Sequence, residues 1–153
     1  MAQHFSRPLP RLPAPVRQSA VVAYRLDEHG AIEVLLVSSR STGRWVVPKG
    51  DVKPTLSAAK SAAKEAFEEA GIGGKVRKKA LGSYRYFKAD DARGRPHDVE
   101  VFAMEVKTVK ARWPERKERV REWLPVETAA RLVCERELRQ LILELPQKIE
   151  KVE

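Results

Sequence analysis

Three glutamates, Glu65, Glu68 and Glu69, close an alanine-rich run that ends at Gly71. At a helical period of about 100° per residue they fall within an arc of roughly 100° on one face. Carboxylates that close repel one another and raise one another's pKa unless a cation lies among them. Hard divalent cations such as Mg²⁺ take oxygen ligands, commonly a few carboxylates together with water and substrate phosphate. The chemistry open to this trio is therefore metal-assisted work on phosphate. An acidic helix face is more often simply solvated, so the neighbouring residues must decide.

Those neighbours are ordered. Trp45-Val46-Val47-Pro48-Lys49-Gly50 leads into a polar loop, and the loop leads into the helix. Leu56 stands six positions after Gly50, and Lys64 and Glu65 begin eight positions after Leu56. The arrangement resembles the Nudix box, whose pattern is Gly, five residues, Glu, seven residues, Arg-Glu, apolar, any residue, Glu-Glu, any residue, Gly, apolar. Gly50, Glu65, Ala66, Glu68, Glu69, Gly71 and Ile72 fall in register, with Ala66 as the small apolar member. Two positions depart: Leu56 stands where the first glutamate is expected, and Lys64 where the arginine is expected. Lysine keeps the charge but lacks the planar fork of donors.

The resemblance implies an α/β fold, a Nudix-type α/β/α sandwich with a mixed sheet. It also implies hydrolysis of a diphosphate linkage by a metal-activated water. Carried over from the family, Glu65, Glu68 and Glu69 bind Mg²⁺, with Mn²⁺ as a substitute, and one of them takes the water's proton, Glu65 and Glu69 first. Family members often recruit a further carboxylate from a distant loop, and Glu122 in Arg121-Glu122-Trp123 matches that place. The segment looks most like bacterial relatives of diphosphoinositol polyphosphate and diadenosine polyphosphate hydrolases. The implied substrate is a nucleoside polyphosphate, a dinucleoside polyphosphate or an inositol pyrophosphate, with an RNA 5′ end as a further candidate. The same two departures support a second reading, a catalytically weakened Nudix-fold module that binds nucleotide or RNA and regulates.

Around the box, Arg40, Arg44, Lys49 and Lys53 form a basic cluster suited to polyphosphate, since arginine binds it bidentately and lysine as a point charge. Taken singly, each is more often a solvated surface residue. Gly50 offers backbone freedom where a side chain could block metal or phosphate. Trp113, beside Pro114 in a charged stretch, is the best candidate to stack on a nucleobase, ahead of Trp45, Tyr84 and Tyr86, for which packing is the plainer fate. His4, His29 and His97 share no ligand spacing with one another or with Cys134, which argues against zinc.

Thirty basic residues against twenty-one acidic ones give a net charge of +9 over 153 residues, a balance that attracts polyanions without choosing among them. A charged fraction of 33% against 42% hydrophobic fits a globular chain, and no apolar run reaches the roughly 18 residues a membrane span needs. The lone Cys134 cannot form an internal disulfide, reads as a small buried residue, and suits a reducing cytoplasm. Oligomeric state is left open.

To position these groups the chain divides into a flexible Pro/Arg-rich leader (1–17), a single domain (18–146) and a polar tail (147–153). Residues 19–26 and 32–38 predict a hairpin, and 45–47 a short strand. A loop then runs through Pro54 to a helix capped by Thr55 or Ser57 and stopped by a left-handed Gly71. Ala59, Ala62, Ala63, Ala66, Phe67 and Ala70 form its packing face. One or two strands follow within 75–88, another over 97–106, an irregular charged stretch over 107–120, and a short strand at Trp123-Leu124. One last helix runs from Pro125 to Pro146, with Ala129, Leu132, Val133, Leu138, Leu141, Ile142 and Leu145 at helical spacing.

Overall fold

The computed structural model describes residues 13–88 and 90–150. Its centre is β1 (Val16–Leu26), whose residues 19–24 are all buried because both faces of the strand are covered. Antiparallel to it lie β2 (Ile32–Ser38) and the short β4 (Lys49–Asp51). Parallel to it lies β7 (Pro96–Val109), so the sheet is mixed. β3 (Trp45–Val46) and β8 (Arg121–Pro125) pair with β2, while β5 (Ile72–Val76) and β6 (Gly82–Phe87) pair with β7.

Helix α1 (Ala58–Ala70) covers one face of the sheet. Ala62, Ala66 and Ala70 meet Val21, Ala23, Leu35, Val37, Phe102 and Met104 there. The small side chains let the helix lie close to the strands. Helices α2 (Val126–Leu132) and α3 (Arg136–Glu150) cover the other face, with Leu138, Ile142 and Leu145 against Ala20, Val22, Val34 and Leu36. The alternation of β1, Val21 and Ala23 one way and Ala20 and Val22 the other, builds both layers. The architecture is the expected α/β/α sandwich.

Several boundaries differ. Val16 and Arg17, assigned to the leader, belong to β1, while residues 1–12 lie outside the described residues. The loop after Pro48 contains β4, because Lys49, Gly50 and Asp51 find open pairing positions opposite Ala20, Ser19 and Gln18. The last helix is two helices. Its apolar spacing slips between the buried Val133 and Leu138, and Val133 adopts an extended backbone there. α3 also continues past Pro146 into the predicted tail. Ile149 packs on the core, Arg77 donates to the Lys148 and Ile149 carbonyls, and Lys148 Nζ donates to the Leu81 carbonyl at 2.6 Å. Residues 151–153 lie outside the described residues. Phe67 faces solvent instead of the sheet, and Cys134 is exposed, its Sγ accepting from Arg44 Nη1 at 3.3 Å. No helix among the described residues is long and apolar enough to cross a membrane.

Candidate active site

Both ends of α1 are fixed by local chemistry. Ser57 Oγ accepts from the Lys60 N–H at 3.1 Å, and Gly71, at φ 68°, turns its N–H back onto the Ala66 and Phe67 carbonyls. A side chain at Gly71 would also strike Trp113, its Cβ 2.9 Å from the indole. The last turn holds no basic residue of its own. Arg121 supplies the charge from β8, donating to the Ala70 carbonyl at 2.7 Å and the Lys110 carbonyl at 2.8 Å while lying 3.9 Å over the Trp113 ring. A cation at a helix C-terminus is favourable to the helix dipole.

This fixed helix aims its glutamates unequally. Glu69 is 3% exposed and turns toward β4, where the Lys49 N–H donates to its two oxygens at 3.4 and 3.3 Å. Arg119 Nη2 lies 3.5 Å from Glu69 Oε1. Burial lifts the Glu69 pKa to about 7, although Arg119 and Lys49 both pull it down. Glu65 lies against Gly50, and Lys53 Nζ stands 3.9 Å from its Oε1. Its pKa is raised first by burial and then by Glu68. Glu68 is partly exposed, and its carbonyl accepts from the Glu115 N–H at 3.1 Å.

The three glutamates are not assembled into a cage. Among the described residues, no three Asp, Glu, His or Cys side chains are grouped so as to hold an ion. The donor set nevertheless fits a hard divalent cation. It consists only of carboxylate oxygens, and burial and mutual repulsion push Glu65 and Glu69 toward protonation, a strain that a cation relieves.

Glu69 lies at the wall of a cleft of about 260 Å³, lined also by Gln18, Arg40, Lys49, Tyr86, Lys88, Asp90 and Arg119. Lys49 Nζ sits 5.1 Å from the Tyr86 ring, and burial lowers its pKa. The Tyr86 hydroxyl donates to Gln18 Oε1 at 2.7 Å, and Gln18 in turn donates to Asp51 at 3.0 Å. Arg40 reaches Glu115 at 3.7 Å and Glu118 at 3.6 Å.

The predicted site residues thus separate. Glu69, Lys49 and Arg40 line the cleft, Gly50 and Glu65 lie against each other next to Lys49, and Lys53 reaches Glu65, while Glu68 is joined to the loop only through its backbone carbonyl. Arg44 turns away to Thr42 and Cys134. Trp113 is no stacking platform: its indole N–H donates to the Glu69 carbonyl at 3.0 Å, and its face carries Arg121. Glu122 is exposed on β8 opposite Leu36, a residue of the layer under α2 and α3, which puts it on the other face of the sheet from α1. The loop carboxylate near the box is Glu115, which also raises the Glu65 pKa. Glu115 and Arg119 had no signal in the sequence beyond an i,i+4 charge pair in an otherwise aperiodic stretch. Lys64 is exposed and acts on Glu65 less strongly than Lys53 does.

The family model described as NUDIX domain matches residues 16–145, strand β1 through helix α3. The chain belongs to the Nudix family. This Nudix domain is 35% identical over 125 residues to mitochondrial Nudix hydrolase 13 of Arabidopsis thaliana, covering 78% of this chain and 61% of that one. It is 32% identical over 120 residues to diphosphoinositol polyphosphate phosphohydrolase 3-beta of Bos taurus, covering 76% and 68%. The chain therefore spans about three-fifths of the Arabidopsis relative's length and about two-thirds of the bovine one's. Among solved structures, the C. elegans Ap4A hydrolase superposes with a TM-score of 0.65 at 20% identity, covering 88% and 98% of the two chains. The MutT protein of Methanosarcina mazei Go1 gives 0.66 at 19% identity, covering 92% and 100%. At such identities the superpositions speak for the Nudix fold alone.

Proposed function

We propose that this Nudix domain is a divalent-cation-dependent pyrophosphohydrolase, using Mg²⁺ or Mn²⁺ to cleave a diphosphate linkage with water. The observation that carries the reading is the meeting, at one cleft, of a buried carboxylate and cations: Glu69 shares its wall with Arg40, Lys49 and Lys88. A bound divalent cation would neutralise charge on the phosphate oxygens and acidify the attacking water. Glu65, Glu68 and Glu69 would hold it. One of them, Glu65 or Glu69 first, would take the proton of the attacking water. Arg40, Lys49 and Lys88 would bind and orient the phosphate chain, and Gly50 keeps the Glu65 carboxyl within reach.

The name of one similar protein, a diphosphoinositol polyphosphate phosphohydrolase at 32% identity, supports a substrate of this class. The deciding experiment is a panel of dinucleoside polyphosphates, nucleoside triphosphates, nucleotide sugars and inositol pyrophosphates, with and without Mg²⁺ or Mn²⁺. Metal-dependent release of phosphate or nucleotide from at least one class is the expected result, and its absence from all would remove the enzyme reading.

The unassembled glutamates and the exposed Lys64 favour one competing reading, a weakened module that binds nucleotide or RNA. Retention of RNA with a steep salt dependence, without any cleavage, would favour it.

A further inference from the structure

Arg119 joins three separate parts of the fold. Its Nη1 donates to the Ser38 carbonyl at the end of β2 at 3.0 Å. Its Nε donates to Glu115 Oε1 at 2.8 Å, and its Nη2 lies 3.5 Å from Glu69 Oε1 on α1. The Arg119 side chain is only 10% exposed, and Val120 N–H adds a 2.8 Å bond to Ser38 Oγ that fixes the same stretch of chain. A planar guanidinium can serve a carbonyl and two carboxylates at once, whereas an ammonium lacks that fork of donors.

The other partners of the two carboxylates are weaker or face outward. Among the described residues, the Glu69 carboxylate otherwise accepts only the long bonds from the Lys49 N–H. Glu115 otherwise meets only Arg40, a more exposed side chain that also reaches Glu118 on the outside of the loop. Without Arg119, Glu69 would swing on its long contacts and Glu115 would be drawn outward.

We propose that Arg119 is a positioning residue whose guanidinium, anchored on Ser38, holds the Glu69 and Glu115 carboxylates together at the back of the cleft as one unit. The proposal rests on the functional reading above, in which Glu69 binds the cation. It assigns the orienting task to a loop arginine remote in sequence from the box, whose own basic residue, Lys64, faces solvent.

The test uses the full chain with Arg119→Ala, Arg119→Lys, Glu115→Gln and the Arg119→Ala/Glu115→Gln double variant. Mn²⁺ affinity is read from the electron paramagnetic resonance signal of the free ion, and melting temperature is read in chelator. Steady-state kcat and KM are measured on whichever substrate the panel yields. Arg119→Ala is expected to weaken Mn²⁺ binding about 10- to 100-fold, the range for losing a group that orients a metal ligand. Turnover should fall with KM little changed. Arg119→Lys should not restore either value, while added guanidinium should return part of the turnover to Arg119→Ala. The double variant should bind Mn²⁺ no worse than Arg119→Ala, because the two groups act together.

A raised KM with wild-type kcat and Mn²⁺ affinity would make Arg119 a substrate contact and overturn the proposal. A lowered melting temperature with unchanged Mn²⁺ affinity would reduce it to a structural residue. Should Arg119→Ala fail to fold, wild-type Mn²⁺ affinity in folded Arg119→Lys overturns it equally. No Mn²⁺ binding by the wild-type protein would defeat the functional reading itself, and this proposal with it.

Discussion

Gly50 and Glu65 share one space: a Cβ placed on Gly50 would lie 2.4 Å from the Glu65 carboxyl carbon. Gly50 has no positive φ, so its backbone would accept alanine, and the conflict is purely steric. Gly50→Ala is expected to displace the flexible Glu65 side chain at little cost to the fold. Metal affinity should fall with that displacement. Thermal melting with and without Mn²⁺ checks both, and an unchanged metal-induced shift would remove Gly50 from the site.

Glu69→Gln and Glu65→Gln should each reduce turnover by orders of magnitude while the far-ultraviolet circular dichroism stays that of the wild type. Wild-type rates in both variants would refute the assignment of the box carboxylates.

Burial of Glu69 makes the metal-free fold pH-sensitive. Its folded pKa, about 7, lies above the ordinary 4.5. The folded state therefore holds the proton more tightly. This stabilisation is complete below about pH 4.5 and is lost as pH rises through about 7. The difference corresponds to about 3 kcal/mol, or on the order of 5–10 °C in melting temperature. Melting in chelator should thus show Glu69 destabilising the wild type at pH 8 relative to pH 5. Glu69→Gln should flatten that contribution and melt higher at pH 8. A variant with the same pH profile as the wild type would contradict the buried charge.

Loop carboxylates can be told apart by kinetics. Glu115→Gln should lower turnover, and Glu122→Gln, on the opposite face of the sheet, should leave it unchanged. The reverse pattern would restore the assignment made from sequence.

Trp113 and Arg121 should behave as a cap on α1 and not as a nucleobase site. Arg121→Ala removes two hydrogen bonds from a charged donor, for a loss of about 1.5–3 kcal/mol. KM should stay constant across nucleotides with different bases. A base-dependent rise in KM for Trp113→Ala would overturn this.

Local chemistry carried much of this protein in the sequence itself. Thr55 or Ser57 before an alanine run, Gly71 after it and the glutamates between them state the helix, its stop and its acidic residues, because each signal depends on residues a few positions apart, and the structure chose Ser57 as the cap. The Val- and Ala-rich run at 19–26 and the periodicity after Pro125 likewise declared a strand and helical structure. Tertiary structure decided what contacts distant in sequence decide. It gave Lys49–Asp51 a pairing partner in β1, carried α3 beyond Pro146 on contacts from Arg77 and Leu81, and turned Trp113 from a ligand platform into a helix cap. It also put Glu115 beside the box and sent Glu122 to the other face, since a strand's alternation fixes which way a side chain points only once its register is set. Sequence spacing could place carboxylates along one helix, but only packing could bring Arg119, fifty positions away, against Glu69.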